Sequence, residues 1–552
     1  MRRLPPLDQP WILLDDARSG GTARLFTDAR RIVTATTPAG VGEALSAIRA
    51  DPGEWAGFLS YEAASAFEPS LAAPPAPDGP LAWFGQFGSV ETIADVAGLL
   101  PDRAAGWIGA PRPAIRRHAY RAMFDAVRAL IEAGDVYQAN LTFPMTARVA
   151  GDPLALYARL RGATRAGWSA IVATGDDLFL SFSPELFFDL SGDRITCRPM
   201  KGTARRLPDP VADRAAAAAL AGDPKQRAEN LMIVDLMRND LSRVATAGSV
   251  RVPELFAVEP YPTVHQLTST VTATIAPGRD AIEVLGALFP CGSITGAPKL
   301  RAIAALAEIE GARPRGLYTG AIGRIDAEGG AQFSVAIRTL RLADGVATIG
   351  VGGGIVADST ADDEWDEALA KAAFLTHEGP MADLIETMRF DPVEGIALLD
   401  RHLARMRDSA HALGFSFDRH AARNELQAAT FRLRTGAKVR LLLAASGAVA
   451  IEVAPLPPAP AAPLRVAIVP RPVGGEDWRL RHKSSDRAFY DDARIASGAD
   501  EVIFADAGGR LTEGSFTSLF VPRGGALVTP GGGDLLHGVL RGALIDEGRA
   551  IE

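Results

Sequence analysis

The hydrophobic repeat of the chain changes its period at Gly134. Before this glycine, apolar side chains recur at helical spacing, at Tyr120, Met123, Phe124, Val127, Leu130 and Ile131. Gly134 stands where a C-cap glycine ends a helix. After it, apolar and polar side chains alternate from Val136 to Phe143, which is typical of a strand. Residues 1–115 alternate short apolar runs with Gly/Pro-rich breaks, which predict strands and connecting loops in a fold of the α+β class.

Composition limits the classes of protein to which the chain can belong. Its 552 residues exceed what one hydrophobic core accommodates and predict roughly two to four domains. The net charge of −8 argues against a nucleic-acid binder, and no apolar run has the length of a signal sequence or a membrane span. Two cysteines, Cys197 and Cys291, cannot form a disulfide framework, so we expect a cytoplasmic protein.

A lysine and a glutamate on neighbouring predicted strands are the first catalytic candidates. Lys201 precedes Gly202 and Thr203, and Glu185 follows the predicted strand that contains Ser181 to Ser183. An amine and a carboxyl group that converge from such strands could act as nucleophile and general acid. Because most lysines and glutamates are solvated surface groups, the pair alone does not establish a catalytic site.

Two predicted helices carry candidate ligands for a cation. The first runs from Lys225 to Leu241 with Leu231, Val234 and Leu241 on one face, and the second runs from Asp362 to Phe374. Glu364, Glu367 and Lys371 lie at i, i+3 and i+7 of the second helix and therefore point the same way. They could form an exposed face with one Glu–Lys pair worth a few tenths of a kcal/mol. Alternatively, Glu229 and Glu367 could supply the oxygen ligands that suit Mg²⁺.

Three further segments could bring polar or backbone groups close to a ligand. Gln138, Asn140 and Thr142 share one face of the strand after Gly134, which is either solvated or lines a polar cavity. The small-residue turn from Phe289 to Lys299 leads into an apolar helix. The glycine-rich segment from Gly350 to Val356 permits close approach of the backbone. Glycine-rich segments often serve only as turns, so these features support a site without establishing one.

Seven strings in order resemble the chorismate-utilising enzymes, and among them the aminodeoxychorismate synthase component I family. The resemblance extends over about residues 8–375. The strings are Gly-Asp-Val-Tyr-Gln-Ala-Asn-Leu at 134–141, Ser-Pro-Glu at 183–185, Lys-Gly-Thr-Ala-Arg-Arg at 201–206, Ala-Glu-Asn-Leu-Met-Ile-Val-Asp-Leu-Met-Arg-Asn-Asp-Leu at 228–241, His265, Gly-Ser-Ile-Thr-Gly-Ala-Pro-Lys at 292–299 and Gly-Gly-Gly-Ile-Val-Ala-Asp at 352–358. The fold that this family implies is a pair of packed β-sheets with helices outside and the active site between them.

The resemblance implies a role for each matching residue. Glu185 becomes the acid that protonates the departing C4 hydroxyl of chorismate, and Lys201 the nucleophile that adds to C2 before ammonia adds at C4. The implied Mg²⁺ ligands are Glu229 and Glu367, with Glu364 just behind. The implied substrate-binding residues are His265 beside the ring, Ser293, Tyr318 and Arg338, and the glycines Gly352, Gly353 and Gly354.

Two positions separate this chain from other members of the family. Isochorismate and salicylate synthases carry a water-activating lysine where this chain has Gln138, which argues against water as the nucleophile. Anthranilate synthases have alanine in the place of Lys201, so an anthranilate synthase remains only as an alternative. Neither cysteine lies in the Gly-x-Cys-x-Gly setting of glutaminases, so we expect ammonia from a separate glutamine amidotransferase subunit or from solution.

A second domain is predicted from residue 384 onward, after a first domain at 1–375 and a linker at 376–383. It begins with a strand at Leu384–Arg389 and a helix that carries Leu403, Met406, Ala410 and Leu413 and ends at Gly414. Strands are predicted at Lys438–Leu443 and Val449–Val453. The proline-rich stretch of residues 456–463 is typical of a linker between two halves.

This second region resembles the class IV pyridoxal-phosphate (PLP) enzymes, specifically 4-amino-4-deoxychorismate lyases. The matching strings are Ile-Glu-Thr-Met-Arg at 385–389, His-Leu-Ala-Arg-Met at 402–406, His-Lys-Ser-Ser at 482–485, Gly-Ala-Asp-Glu-Val at 498–502, Leu-Thr-Glu-Gly-Ser at 511–515 and Leu-His-Gly-Val-Leu-Arg at 536–541. The resemblance implies that Lys483 forms the Schiff base with PLP and that Glu513 pairs with the pyridine nitrogen. Arg405 and the backbone N–H groups of Val539 and Leu540 then take the phosphate.

Together the two resemblances imply a bifunctional enzyme of p-aminobenzoate synthesis, because the second domain's substrate is the first domain's product. Two departures concern the lyase half. The usual Ser-Asn pair after the pyridine-binding glutamate is Thr517-Ser518, and we expect the domain to be short at its C-terminus, since Glu552 follows soon after the phosphate motif. The alternative is an active synthase whose residues 384–552 form a non-catalytic scaffold.

Overall fold

Helices and strands alternate along most of the chain, which confirms the predicted α+β class. The computed structural model describes residues 4–71, 79–261, 264–311, 313–376 and 382–552. Most of the predicted linker at 376–383 therefore lies outside the described residues. The chain divides into two compact units, the first formed by residues 1–100, 111–146 and 160–377 and the second by residues 101–110, 147–159 and 378–552. None of the described helices is long and apolar enough to cross a membrane.

The strands in chain order are β1 Trp11–Asp15, β2 Ala23–Ala35, β3 Trp55–Leu59, β4 Ala82–Ile93, β5 Gly106–Ile108, β6 Arg112–Pro113, β7 Gln138–Gly151, β8 Trp168–Ala173, β9 Leu178–Ser183, β10 Leu186–Ser191, β11 Arg194–Arg198, β12 Met200–Arg205, β13 Arg251–Pro260, β14 Val264–Thr274, β15 Gly296–Ala297, β16 Ala321–Ile325, β17 Ala331–Val335, β18 Thr339–Ala343, β19 Val346–Ile355, β20 Leu384–Asp391, β21 Gly395–Ile396, β22 Ala437–Leu443, β23 Val449–Pro455, β24 Val466–Pro470, β25 Glu501–Ala505, β26 Leu511–Gly514, β27 Val521–Arg523, β28 Ala526–Val528 and β29 Ala550–Ile551.

The α-helices in chain order are α1 Pro38–Ala50, α2 Ala64–Phe67, α3 Arg117–Glu132, α4 Pro153–Thr164, α5 Pro210–Gly222, α6 Pro224–Ser242, α7 Ala281–Leu288, α8 Lys299–Ile309, α9 Ala361–Ala370, α10 Leu399–Leu413, α11 Arg419–Thr430, α12 Ala488–Ser497 and α13 Val539–Asp546. The change of period at Gly134 is confirmed, because α3 ends just before this glycine and β7 begins four residues after it. Gly134 has a φ of 78°, the left-handed conformation expected after a helix.

Antiparallel ladders build the sheet structure of the first unit. β1 pairs with β2 and β8, β9 with β8 and β18, and β17 with β10 and β16. β14 pairs with β11, β12 and β13, and β19 pairs with β7. The largest core of this unit packs α1, α6 and α7 against these strands, with Trp55, Phe84 and Phe187 fully buried. The strands β7, β12, β14 and β19 supply residues that line one cavity, described below.

Helix α6 departs from the predicted burial pattern. We predicted that Leu231 lies on the buried face, but this side chain is 44% exposed. Its neighbour Asn230 is buried instead and accepts a hydrogen bond of 2.5 Å from Ser269 Oγ. Successive helical residues turn by about 100°, so a face that carries Asn230, Ile233, Val234, Met237 and Leu241 leaves Leu231 at its edge.

The second unit has its own core around β20, β22, α10 and α11. α10 buries Leu403, Met406, Ala410 and Leu413 as predicted, and Gly414 ends it with a φ of 79°. β20 lies between β21 and β22, and β22 pairs with β23. Trp107 from β5 belongs to this core; its ring centroid lies 4.9 Å from that of Trp478. Residues outside the predicted range 384–552 therefore complete this core.

A separate small sheet of the second unit holds β24, β25 and β26. β24 and β25 run parallel, and β25 pairs antiparallel with β26. Leu480, Tyr490, Val502 and Phe504 form the core cluster beside it. The proline-rich residues 456–463 connect β23 to β24 and are exposed, as expected for a linker.

Candidate active sites

The first unit contains a cavity of about 240 Å³ in which acidic and basic side chains face each other. It is lined by Asn140, Pro184, Glu185, Met200, Lys201, Gly202, Thr203, Lys225, Gln226, Glu229, Gln266, Ser293, Ile294, Tyr318, Ile337, Arg338, Ile349, Gly350, Val351, Gly352, Gly354, Glu364, Glu367 and Lys371. The cavity therefore combines a possible nucleophile and acid with several carboxylates and a guanidinium.

Glu185 is a buried carboxyl group poised for proton transfer. It follows Pro184 at the end of β9, and Ser183 holds this corner by donating from Oγ to the carbonyl of Val335 at 2.6 Å. Ser293 Oγ donates to Glu185 Oε1 at 2.6 Å. Burial raises the pKa of Glu185 to about 7, against the lowering effect of Ser293 and Lys201. The side chain is therefore partly protonated at neutral pH.

Lys201 lies in an irregular part of β12. The pairing of β12 with β14 shifts register between Met200 and Thr203, and Gly202 within this bulge has a φ of 92°. A bulge changes the direction of the side chains that it contains, which accounts for a lysine facing the cavity. Burial lowers the pKa of Lys201, and the charge of Lys371 lowers it further. A lowered pKa increases the share of the neutral, nucleophilic amine.

Three carboxylates line the same cavity from α6 and α9. Glu364 Oε1 accepts a hydrogen bond of 2.6 Å from Ser359, and Glu367 Oε1 lies 2.9 Å from Lys371 Nζ. Burial raises the pKa values of Glu229 and Glu364, and the charge of Glu367 raises both further. The charge of Lys371 lowers the pKa of Glu367. The carboxylates thus repel one another, and lysine charges act on each of them: Lys201 and Lys225 lower the pKa of Glu229, and Lys371 lowers the pKa of Glu364.

A guanidinium and a glycine-rich strand form the remaining wall. Arg338 joins β17 to β18 with a φ of 51°, and no carboxylate in the described part of the chain pairs with its side chain. On β19, a Cβ at Gly352 would lie 2.2 Å from the carbonyl oxygen of Leu141, and one at Gly354 would lie 2.2 Å from Nε2 of Gln138. At Gly352 only glycine permits β19 to lie this close to the backbone of β7, and at Gly354 the missing Cβ leaves room for the Gln138 side chain. Arg338 is accordingly available for an anionic ligand.

In the second unit, the half-buried Lys483 is held by its backbone against β20. The N–H of Ile385 donates to the carbonyl of Lys483 at 2.9 Å, and Ser484 forms a bridge with Leu384. Burial lowers the pKa of Lys483 to about 8, and the charge of Arg405 lowers it further. The amine of Lys483 is therefore more readily deprotonated than an exposed lysine.

Arg405, Glu513 and the start of α13 form the rest of this second site. Arg405 Nη1 donates to the carbonyl of His537, two residues before α13 begins. Glu513 accepts hydrogen bonds from the hydroxyl of Tyr490 and, at 2.8 Å, from the N–H of Leu536. No lysine or arginine among the described residues forms an ion pair with Glu513, and burial raises its pKa. The charges of Arg487 and Arg471 act on Glu513 from a distance and lower its pKa against this effect of burial.

Comparison with known families assigns the larger part of the chain. Residues 16–377, more than half of the chain, match the family model of chorismate binding enzymes. The chain belongs to the chorismate-binding enzyme family. Residues 383–552 match the model of class IV amino-transferases, a family that implies PLP as cofactor. The resemblances stated from the sequence are thereby confirmed at the level of both families.

Individual relatives within the chorismate-binding family cover about half of the chain. The aminodeoxychorismate synthase component 1 of Salmonella typhimurium is 47% identical over 258 residues, which is 47% of this chain and 57% of that protein. The anthranilate synthase component 1 of Haloferax volcanii is 36% identical over 292 residues, which is 52% of this chain and 56% of that protein. The chain therefore matches less than two thirds of the length of these relatives.

A solved structure supports the same fold. The anthranilate synthase component I from Streptococcus pneumoniae superposes with a TM-score of 0.57 at 26% identity, covering 64% of this chain and 92% of that chain.

The described residues contain no group of three His, Cys, Asp or Glu side chains close enough to hold a metal ion. The cavity nonetheless suits Mg²⁺ by its chemistry, because three mutually repelling carboxylates supply the oxygen donors that this ion prefers.

The PLP site of the second unit also suits its cofactor. Lys483 has a lowered pKa, Glu513 has no cationic partner among the described residues, and the first turn of α13 begins after Gly538 without a side-chain cap. These groups correspond to a lysine for the aldehyde, a carboxylate for the pyridine nitrogen and backbone N–H groups for the phosphate. Val539 is half-buried, whereas the Leu540 side chain is 61% exposed, so only its backbone can contribute.

Most of the site residues expected in the chorismate-binding family line the cavity, but two do not. His265 Nε2 lies 3.0 Å from Asp213 Oδ1, and Asp213 also accepts hydrogen bonds from Arg206. His265 is thus buried beside Asp213 of α5. Gly353 lies on the opposite face of β19 from Gly352 and Gly354, and a Cβ there would lie 2.7 Å from Glu364 Oε2. Neither residue is among the described residues that line the cavity, and the substrate-binding roles expected of His265 and Gly353 stay predictions.

Several residues that shape the cavity were not assigned to it from the sequence. Lys371 Nζ donates to the carbonyl of Gly352 at 2.7 Å and so connects α9 to β19. Arg315 is buried, pairs with Glu310 at 2.7 Å and donates to the carbonyl of Asn140 at 2.9 Å. Lys225 and Gln226 also reach the cavity. The Glu367–Lys371 spacing was a usable signal, but the link from Arg315 to Asn140 joins residues 175 positions apart, for which local sequence has no signal.

Proposed function

We propose that residues 1–375 convert chorismate and ammonia to 4-amino-4-deoxychorismate in the cytoplasm. One observation carries this proposal: a half-buried lysine of lowered pKa and a buried glutamate of raised pKa line one cavity. The two shifts favour the neutral form of the nucleophile and the protonated form of the acid, as the reaction requires. A relative 47% identical to this chain over 258 residues is named aminodeoxychorismate synthase component 1, which supports the same substrate class.

Lys201 and Glu185 perform the substitution in two steps. In the first, the neutral amine of Lys201 forms a bond to C2 of chorismate, the ring double bonds shift, and the C4–oxygen bond breaks. The departing hydroxyl takes the proton of Glu185 and leaves as water. In the second, ammonia forms a bond to C4 while the C2–nitrogen bond to Lys201 breaks. A proton of the attacking ammonia returns to Glu185, so that acid and amine are restored.

The other cavity residues bind and orient the substrate. Arg338 has no carboxylate partner among the described residues, and its fork of N–H donors suits a carboxylate of chorismate. Backbone groups of Gly352 and Gly354, with Tyr318 and Ser293, complete this side of the cavity. Glu229, Glu364 and Glu367 would hold Mg²⁺, whose charge would neutralise a second substrate carboxylate. Ammonia comes from a separate glutamine amidotransferase subunit.

For residues 384–552 we propose elimination of pyruvate from 4-amino-4-deoxychorismate to give 4-aminobenzoate. Bound PLP supplies an electron sink for this reaction. Lys483 tethers the cofactor, Glu513 holds the pyridine nitrogen, and Arg405 with the first N–H groups of α13 binds the phosphate. The amine of Lys483, with its pKa of about 8, is also suited to carry a proton to and from the substrate.

Two measurements test these assignments separately. Incubation with chorismate, ammonium and Mg²⁺ should give 4-amino-4-deoxychorismate, and anthranilate as product would overturn the assignment of the first site. Purified protein loaded with PLP should absorb at about 410–430 nm, and Lys483→Ala should lose this band. A colourless protein that makes 4-amino-4-deoxychorismate but no 4-aminobenzoate would instead identify residues 384–552 as a non-catalytic scaffold.

A further inference from the structure

One buried carboxylate in the second unit has no role in the chemistry proposed above. Glu386 on β20 is 1% exposed. Its oxygens accept hydrogen bonds from Nε and Nη2 of Arg405 at 2.8 and 2.6 Å. His402 Nδ1 lies 2.6 Å from Oε2 of the same carboxylate. Burying a charge is costly unless its partners are well placed, and here three close partners hold Glu386 in one orientation.

These contacts determine which donors of Arg405 remain available. A guanidinium has five N–H groups. Two of those on Arg405 bind Glu386, and one on Nη1 binds the carbonyl of His537 at 3.0 Å. One N–H therefore remains on each of Nη1 and Nη2, without another partner in the described chain. Two charged donors of this kind can bind the oxygens of a phosphate.

The remaining donors lie beside the other groups expected to bind the cofactor. The carbonyl of His537 that Arg405 binds immediately precedes Gly538, and α13 begins at the next residue. Residue 385 of the same strand donates its N–H to the carbonyl of Lys483. The strand β20 thus fixes Lys483 through its backbone and Arg405 through the side chain of Glu386.

We propose that Glu386 is a positioning residue for the phosphate of PLP, held in place by His402 and acting through Arg405. Glu386 turns two N–H groups of Arg405 toward the phosphate and does not contact the cofactor. This inference rests on the proposed binding of PLP by residues 384–552. It predicts that loss of Glu386 weakens recognition of the phosphate group and leaves recognition of the pyridine ring unchanged.

The test compares PLP with pyridoxal, which has the same ring and aldehyde but no phosphate. Glu386→Gln removes the charge and one acceptor while it keeps the shape of the side chain. We expect the Kd of this full-length variant for PLP, measured by absorbance titration, to rise about tenfold, since a hydrogen bond to a charged group is lost. The Kd for pyridoxal should equal that of the unaltered protein.

A second variant, Arg405→Lys, tests the role of the Glu386–Arg405 pair independently of Glu386→Gln. Arg405→Lys should also weaken the binding of PLP and leave the binding of pyridoxal unchanged, because a lysine cannot present two parallel donors. If Glu386 acts through Arg405, the double variant Glu386→Gln/Arg405→Lys should bind PLP no more weakly than Arg405→Lys alone. Additive losses of PLP affinity in the double variant would contradict the proposal that Glu386 acts through Arg405.

Asp477→Asn is the matched control. Asp477 is 1% exposed and binds Arg479 through two N–H groups at 3.0 and 2.7 Å, so it is a similar buried pair in the same unit. The control should leave the Kd for PLP unchanged. Two results would overturn the inference. One is an equal rise of the Kd for PLP in Asp477→Asn and in Glu386→Gln, and the other is an equal rise of the Kd values for pyridoxal and PLP in Glu386→Gln. If the unaltered protein bound neither compound, the proposed cofactor itself would be rejected, which is a distinct outcome.

Discussion

Replacing Glu185 by glutamine should stabilise the first unit while it abolishes turnover. The substitution keeps the shape of the side chain and an oxygen that can accept the 2.6 Å hydrogen bond from Ser293. It removes the proton that leaves with the C4 hydroxyl and the negative charge that is costly in this buried position. Function and stability are therefore expected to change in opposite directions at one residue.

The size of the stability gain follows from the pKa of Glu185. Burial raises this pKa from 4.5 to about 7 in the folded chain. Below pH 4.5 the side chain is protonated in the folded and the unfolded chain, and its ionisation costs nothing. As the pH rises from 4.5 to 7, only the unfolded chain ionises freely, so stability is lost. The loss reaches about 3 kcal/mol above pH 7, because each pKa unit corresponds to about 1.4 kcal/mol.

Denaturant unfolding at two pH values measures this effect. Relative to the unaltered protein, Glu185→Gln should gain about 3 kcal/mol at pH 8 and less than about 1 kcal/mol at pH 5. Hydrogen exchange in β9 and β10, which flank Glu185, assigns the change to the first unit. The same samples should form no 4-amino-4-deoxychorismate. An equal gain at both pH values, or a loss at pH 8, would refute the raised pKa and with it the role of Glu185 as a neutral acid.

Three further predictions address the nucleophile, the metal and the core of the second unit. Lys201→Ala should lose most product formation with ammonia yet still bind chorismate in a calorimetric titration; an unchanged rate would remove this lysine from the mechanism. EDTA should abolish synthase activity and Mg²⁺ should restore it, and full activity in chelator would count against the three-glutamate site. Trp107→Ala removes a buried ring that packs 4.9 Å from Trp478 and 5.7 Å from Phe415. It should cost about 3–5 kcal/mol in thermal unfolding and hydrogen exchange of the second unit, whereas a loss below about 1 kcal/mol would contradict this packing.

Local sequence pattern was sufficient to predict the elements around the cavity of the first unit. The helix expected from Lys225 to Leu241 is α6, Pro224–Ser242, because its proline lies at the first turn and Asp223 caps it. The helix expected from Asp362 to Phe374 ends four residues earlier, at Ala370. The strands that carry Lys201 and precede Glu185 were also expected, and the structure brings both side chains to one cavity.

Contacts between distant residues account for what local pattern could not predict. The orientation of His265 depends on Asp213 in α5, 52 positions earlier, since no local rule pairs these two side chains. Leu231 looked like a core residue, but Asn230 takes the buried position because Ser269 supplies its hydrogen bond. Trp107 lies within the range of the chorismate-binding match and yet packs in the core of the second unit. These three placements depend on contacts between residues far apart in the sequence, so the hydrophobic period of a single segment does not predict them.

The same reasoning applies to the PLP site. Lys483, Glu513 and Arg405 were expected from the resemblance, whereas the part of Glu386 in orienting Arg405 was not. Glu386 occupies a strand position where a charged residue would ordinarily face solvent. Its buried placement depends on hydrogen bonds from His402 and Arg405. These two residues lie three positions apart in α10 and therefore on the same face of the helix.

The identity of the product tests the central claim most directly. The full chain, loaded with PLP, is incubated with chorismate, ¹⁵N-labelled ammonium and Mg²⁺, and the products are identified by mass spectrometry and chromatography. The account predicts ¹⁵N-labelled 4-amino-4-deoxychorismate, followed by labelled 4-aminobenzoate and an equal amount of pyruvate. Labelled anthranilate, or unlabelled isochorismate formed from water, would contradict it.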